Sequence, residues 1–181
     1  VTGDVLIGSR VVCNVSFGCS PEVISRLKNL AGLERLSSVG GSLKVQENPE
    51  LESLDSLSGL SGSVQDLFVM NNPLVGSLSS LRGITRVRGS LGLSHAAVTS
   101  LDGLGSITAI DHHLNIASLP GIVNLTGLEG VVSIGERVIL DGNENFVSFA
   151  GLDHVKTIGS LEVLNNAELK NFTGLGALEE I

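Results

Sequence analysis

The chain has 181 residues, 42% of them hydrophobic and only 3% aromatic, with no Trp or Tyr and a formal charge of −8. That length suffices for one substantial domain with a real core, and no apolar run approaches the roughly 20 residues that cross a bilayer. The acidic balance, without a Lys or Arg run or basic residues interleaved with aromatics, speaks against nucleic acid as a partner.

In chain order, the first predicted element is a strand at Val5 in "GDVLIGS", a degenerate copy of a unit of the form x-Leu-x-Val. The next copy opens at Leu43, 38 residues on. The excess holds Cys13 and Cys19 and the segment "CSPEVISRLKNL". Ser20 suits an N-cap and Pro21 the first helical position, and Val23, Ile24, Leu27 and Leu30 share one face. A short capping helix is therefore expected over about 20–30, covering the open end of the core. Cys13 and Cys19 lie close together with no His or further Cys nearby, a poor metal set. They are read as a local disulfide in preference to two free thiols.

From about residue 33 to 181 one unit recurs. Its strands open at Leu43, Leu67, Leu91, Leu114, Val138 and Leu161, in steps of 24, 24, 23, 24 and 23 residues. A fixed period of this size predicts a solenoid whose coils bury their apolar sides on one another. Within the unit from Leu43, Leu43 and Val45 alternate with polar neighbours as in a strand, and Asn48-Pro49 turns the chain. Leu51, Leu54, Leu57 and Leu60 then follow at threes, which a helix of period 3.6 would not hold on one stripe. The expectation is an all-β solenoid, a parallel β-helix of about seven coils and roughly 35 Å in length at strand spacing. It forms one domain over 1–181. Ile181 stands at the phase of Val39 and Ile158, just before a strand, so the segment reads as part of a longer chain.

The stretches "SVGGSLKVQENPELESLDSLSGL" and "TIGSLEVLNNAELKNFTGL" resemble the receptor L domain, a leucine-rich, right-handed β-helical module. It occurs in the ectodomains of insulin and epidermal growth factor receptors, with looser relatives in fungal cell-wall and protist surface proteins. The resemblance spans the chain and implies fold more than function, because the repeated residues are scaffold. An ordinary leucine-rich repeat is the close alternative, since Leu43-x-Val45-x-x-Asn48 also fits that pattern.

Several residue columns are candidates for function. Asn14-Val15-Ser16, Asn124-Leu125-Thr126 and Asn171-Phe172-Thr173 are N-glycosylation acceptors. Asn124 and Asn171 both lie ten residues past their strand openings, two coils apart on one outward column. Together with the cysteine pair they imply a secreted or cell-surface protein. The column at Asn48, Asn72, Asn143 and Asn166 reads as turn scaffold. In each strand the residues flanking the two apolar positions face outward. These include Lys44, Phe68, Met70, Asn115, Arg137 and Ile139, proposed to contact a partner. The bland reading is that scattered surface apolar residues are normal, against the interface reading that contiguous ones mark contact. His112 and His113, His154 beside Asp153, and Asp141 with Glu144 in "LDGNEN" match no catalytic or EF-hand spacing. No metal, cofactor or catalytic residue is expected.

The functional expectation is an extracellular recognition or adhesion module binding a protein or glycan through its strand face. The alternative is a structural building block of a coat, wall or filament. An enzyme acting on polysaccharide ranks third. Self-association or further domains of the same chain are expected at the last coil, with no membrane insertion by this segment.

Overall fold

The spacing of three is a chain of hydrogen-bonded corners in the computed structural model, which describes residues 3–8, 11–14, 18–21 and 25–181, with side chains over 3–8 and 25–181. The Leu57 N–H donates to the Leu54 carbonyl at 2.8 Å and the Leu60 N–H to Leu57 at 2.9 Å. Three coils on, Leu128 donates to Leu125 at 3.1 Å and Val131 to Leu128 at 2.9 Å. Each bond closes a tight turn, and each turn points one apolar side chain inward.

The strands between these corners are β1 (Val5–Gly8), β2 (Val11–Asn14), β3 (Gly18–Pro21), β4 (Leu43–Gln46), β5 (Gly62–Val64), β6 (Leu67–Asn72), β7 (Ile84–Val87), β8 (Leu91–Ala96), β9 (Ala109–Ile110), β10 (Leu114–Ala117), β11 (Ser133–Ile134), β12 (Arg137–Asp141) and β13 (Ser160–Leu164). Seven of them form one parallel sheet in the order β1-β4-β6-β8-β10-β12-β13. Its register is set by whole coils, with Val5, Leu43, Leu67, Leu91, Leu114, Val138 and Leu161 stacked as partners. A second parallel sheet, β11-β9-β7-β5, runs along the side that precedes β6, β8, β10 and β12. The chain is an all-β parallel solenoid, a β-helix. Between Leu43 and Leu161 it makes about five regular coils rather than seven. The long step from Val5 to Leu43 departs from the repeat and carries the antiparallel pair β2–β3.

The helix expected over 20–30 is a correction. Ser20 and Pro21 belong to β3, and Ser25 to Leu30 carry no helix; Val23 and Ile24 lie outside the described residues. The backbone at Lys28 is committed to the coil above it. The Lys28 carbonyl accepts the Glu52 N–H at 3.0 Å, and Leu33 and Leu36 donate back to Leu30 and Leu33. The corner pattern thus begins at Leu30, and Leu27, assigned to the apolar face, is 43% exposed. A helix this short is marginal alone and loses to the rung.

Like residues stack on like through the core. Leu54, Leu78, Leu101, Leu125 and Phe149 form one column, each at most 1% exposed, and burial contributes about 1.5–3 kcal/mol for each such side chain. Phe146 meets Phe149 edge-on at 5.4 Å, and Phe149 stacks on Phe172 of the next coil at 5.4 Å.

Two backbone columns escape a reading of apolar periodicity. The fourth residue past each strand opening is left-handed: Glu47, Asn71, His95, Ser118, Gly142 and Asn165 have φ of 60°, 55°, 49°, 52°, 65° and 53°. At the corner written Leu-x-Gly-Leu or Phe-x-Gly-Leu, Gly103, Gly127, Gly151 and Gly174 have φ between 103° and 109°. There a Cβ on Gly127 would stand 2.3 Å from the Leu101 carbonyl carbon. Where serine replaces this glycine, at Ser56 and Ser80, the corner becomes a 3-10 turn, Asp55–Leu57 and Ser79–Leu81. The side chain forbids the glycine conformation, so the chain adopts a tighter turn that any residue tolerates.

Candidate functional site

The outward side of the seven-stranded sheet has the alternation read from the sequence. Val45, Val69, Leu93, Ile116 and Leu140 are at most 1% exposed, while Lys44, Phe68, Met70, Asn115 and Ile139 between them are half-buried and Arg137 is exposed. Phe68, Asn115 and Ile139 fall on one outward row, with Gly92 between Phe68 and Asn115. Phe68 and Ile139 are three rungs apart, roughly 14 Å at strand spacing.

Phe68 is not a free-standing side chain. Its ring lies over the gap left by Gly92, where a Cβ would come within 2.6 Å of Phe68 Cδ1. Lys44 Nζ sits 5.3 Å from the ring centroid on the next rung, so cation, ring and glycine form one packed stack. Further along, Arg137 pairs with Glu162 at 3.1 Å and His113 Nε2 with Glu136 at 3.1 Å. A shallow cavity of about 260 Å³ opens there, lined by His113, Gly135, Glu136, Arg137, Gly159 and Ser160.

Between these groups lie two side-chain atoms the sequence does not single out. Asn115 Oδ1 and His113 Nδ1, like Asn48 Oδ1 in the scaffold column of the first regular coil, are buried and have no hydrogen-bond partner among the described residues. Asn115 and His113 flank inward Leu114 on β10, so they share the outward face. A polar atom held from water without a partner costs about 1–3 kcal/mol. Asn115 stands on the outward row read from the sequence; the signal for His113 is a break in pattern, with His112-His113 standing where the coils opening at Leu43, Leu91 and Leu161 have Gly-Ser.

That Gly-Ser step has a structural cause. The Asp4 carboxylate accepts the Ser42 N–H at 2.7 Å, and Asp66 accepts the Ser90 N–H at 2.9 Å. A Cβ on Gly41 or Gly89 would meet those same carboxylates at 2.2 and 2.1 Å. Glycine makes room for the preceding coil's acid.

The asparagine column is scaffold, as its spacing suggested. Asn48, Asn72 and Asn143 are fully buried. Asn143 Nδ2 donates to Ile116 O at 2.9 Å, while its Oδ1 accepts the Leu119 N–H at 3.0 Å, tying one coil to the one before. Asp141 accepts from Asn165 Nδ2 at 2.8 Å. Among the described residues no three of His, Cys, Asp or Glu come together as a metal set, and no helix is long and apolar enough to cross a membrane. Glu34 caps an early glycine corner. Its own backbone N–H and that of Gly32 hold its carboxyl below the usual range.

Asn124 and Asn171 occupy equivalent corners, each side-chain oxygen accepting the N–H two residues on, from Thr126 and Thr173, at 3.0 Å. The side chains of Asn14, Cys13 and Cys19 lie outside the described residues. The backbone register of β2 and β3 sets Cys13 opposite Cys19. No family model, curated protein or solved structure matches the chain.

Proposed function

We propose that this β-helix is an extracellular recognition module, secreted or on a cell surface, that binds a protein or a glycan through the outward face of its seven-stranded sheet. It is a right-handed solenoid of the receptor-L-domain kind, acting by contact rather than catalysis and needing no cofactor. The observation that carries the reading is the pair of unpartnered buried atoms, Asn115 Oδ1 and His113 Nδ1. They lie between the Lys44–Phe68 stack and Ile139, enclosed as they stand, so the amide and the ring must turn outward to meet an arriving hydrogen-bonding group. Such convergent polar groups on a partly apolar surface suit the centre of an interface.

The test is a screen of the purified chain against arrays of extracellular proteins and oligosaccharides, followed by two variants. Phe68→Asp and Asn115→Val are each expected to abolish binding of a partner seated on this face. Undiminished binding by both variants would refute the strand face as the site.

A second reading, a building block of a coat, wall or filament, draws on a different observation. Leu164, Phe172 and Ile181 on the last coil are 52%, 57% and 67% exposed. A second copy or a further domain of the same chain would cover them in that case. Concentration-dependent assembly, unaffected by Phe68→Asp, would favour it.

A further inference from the structure

We propose that Asn124 and Asn171 carry N-linked oligosaccharides and that their shared corner column is the glycan-bearing side of the solenoid. The inference rests on the extracellular reading, because only a secretory pathway brings the chain to the transferase and its lipid-linked donor. In that step Nδ2 bonds to the anomeric carbon of the first sugar and loses one proton. The bond from that carbon to the lipid diphosphate breaks, and the lipid diphosphate leaves.

Three features beyond the sequon itself support these sites. First, the side-chain oxygen of each asparagine is engaged by the N–H of the sequon threonine, at 3.0 Å in both. The amide is thereby held at the corner with its nitrogen as the remaining reactive end. Thr126 and Thr173 are exposed, as is Asn171, and Asn124 is half-buried.

Second, the coils between and around them have serine at this place. Ser53, Ser77 and Ser100 hydroxyls accept the N–H of Asp55, Ser79 and Asp102 at 3.0, 3.2 and 3.0 Å. The corner therefore needs only a short side-chain acceptor, and serine supplies it. Asparagine adds nothing to the turn that serine lacks. Ser148 stands on the coil between Asn124 and Asn171, which spaces the two acceptors by two rungs, roughly 10 Å.

Third, the column lies ten residues into a coil of 23 or 24. Asn124 is nine residues past Asn115 and seven past the end of β10, so the column is a corner separate from the strand face.

The repeat supplies its own conservative controls. Asn124→Ser and Asn171→Ser copy Ser100 and Ser148, and Thr126→Ala copies Ala150 of the following coil. The chain would be secreted from a eukaryotic host behind a supplied leader and its glycopeptides read by mass spectrometry. Expected are sugars on both asparagines, loss of one site in each single Ser variant, and loss of the Asn124 sugar in Thr126→Ala, with melting temperatures of the deglycosylated proteins unchanged. Secreted, folded protein without sugar at either residue, or with sugar at only one, would overturn the proposal. Because the leader is supplied, that failure is separate from failure of the extracellular reading, which free thiols at Cys13 and Cys19 in native material would signal.

Discussion

Replacing Asn115 by valine is expected to stabilise the free protein while destroying its binding. Asn115 Oδ1 is buried without a partner, and leaving such a group unsatisfied costs about 1–3 kcal/mol. Valine removes the oxygen, suits a strand by up to about 1 kcal/mol, and meets Ile139, its neighbour on β12, for about 0.2–1 kcal/mol more. On the other rung stands Gly92, over which the Phe68 ring already lies, so the branched side chain packs beside that ring. Together these give about 1–5 kcal/mol, which corresponds to a rise in melting temperature of roughly 2–20 °C for a chain of this size. Calorimetry of the wild type and Asn115→Val at equal concentration measures it. A fall in melting temperature would show that the amide is hydrogen-bonded in the folded protein, and the argument for a site held open at stability cost would collapse. A gain in stability with undiminished binding would equally detach the unpaired oxygen from function.

Three further outcomes test the scaffold. His95→Gly relieves a left-handed non-glycine residue (φ 49°) with an exposed side chain and is expected to raise stability by about 1 kcal/mol, read as a higher urea midpoint. Gly127→Ala places a Cβ 2.3 Å from backbone at φ 107°. It is expected to cost about 2–3 kcal/mol in the same assay, and an unchanged midpoint would show that this corner converts freely to the 3-10 form. Titration of the unfolded, unreduced protein is expected to find no free thiol at Cys13 and Cys19, since their backbones face each other across β2 and β3; two reactive thiols would contradict the pairing.

Much of this fold was legible because the chain repeats itself. The stacked partners Leu43, Leu67, Leu91, Leu114, Val138 and Leu161 are the residues that periodicity picks out, and the buried asparagines follow at fixed offsets. The errors fall where one local rule was read without its neighbours. "SPEVISRLKNL" has a helix's cap and face, yet its backbone bonds to the coil above at Glu52, a contact no local pattern reveals. The second sheet was missed because its strands are two to four residues long, too short to display alternation. The Gly103, Gly127, Gly151 and Gly174 column was visible as Leu-x-Gly-Leu or Phe-x-Gly-Leu. Only the 3-10 turns at Ser56 and Ser80 reveal what the glycine does. The unpaired atoms of His113 and Asn115 left no trace beyond two histidines in a Gly-Ser position, since satisfaction of a hydrogen bond is a property of packing.

The case proposed for the strand face follows from what each column is obliged to do. The inward columns must be apolar, and the left-handed column selects residues that tolerate positive φ. The Leu-x-Gly-Leu corner requires glycine or a changed turn, and the corner ahead of it requires a short side-chain acceptor, met by serine or asparagine. The step before each strand yields glycine wherever the preceding coil's acid reaches across. The outward strand positions carry no such duty, because sheet hydrogen bonds there are made by backbone alone. The row after each strand opening reads Leu6, Lys44, Phe68, Gly92, Asn115, Ile139 and Glu162, seven residues of seven kinds in a chain that otherwise repeats. Even the glycine in that row serves its neighbour, as the bed for Phe68. The scaffold leaves chemistry free to vary here, as it does on the exposed corners, and here it has placed a cation on an aromatic ring, an Arg–Glu ion pair, a His–Glu contact, and a buried oxygen and a buried nitrogen without partners among the described residues.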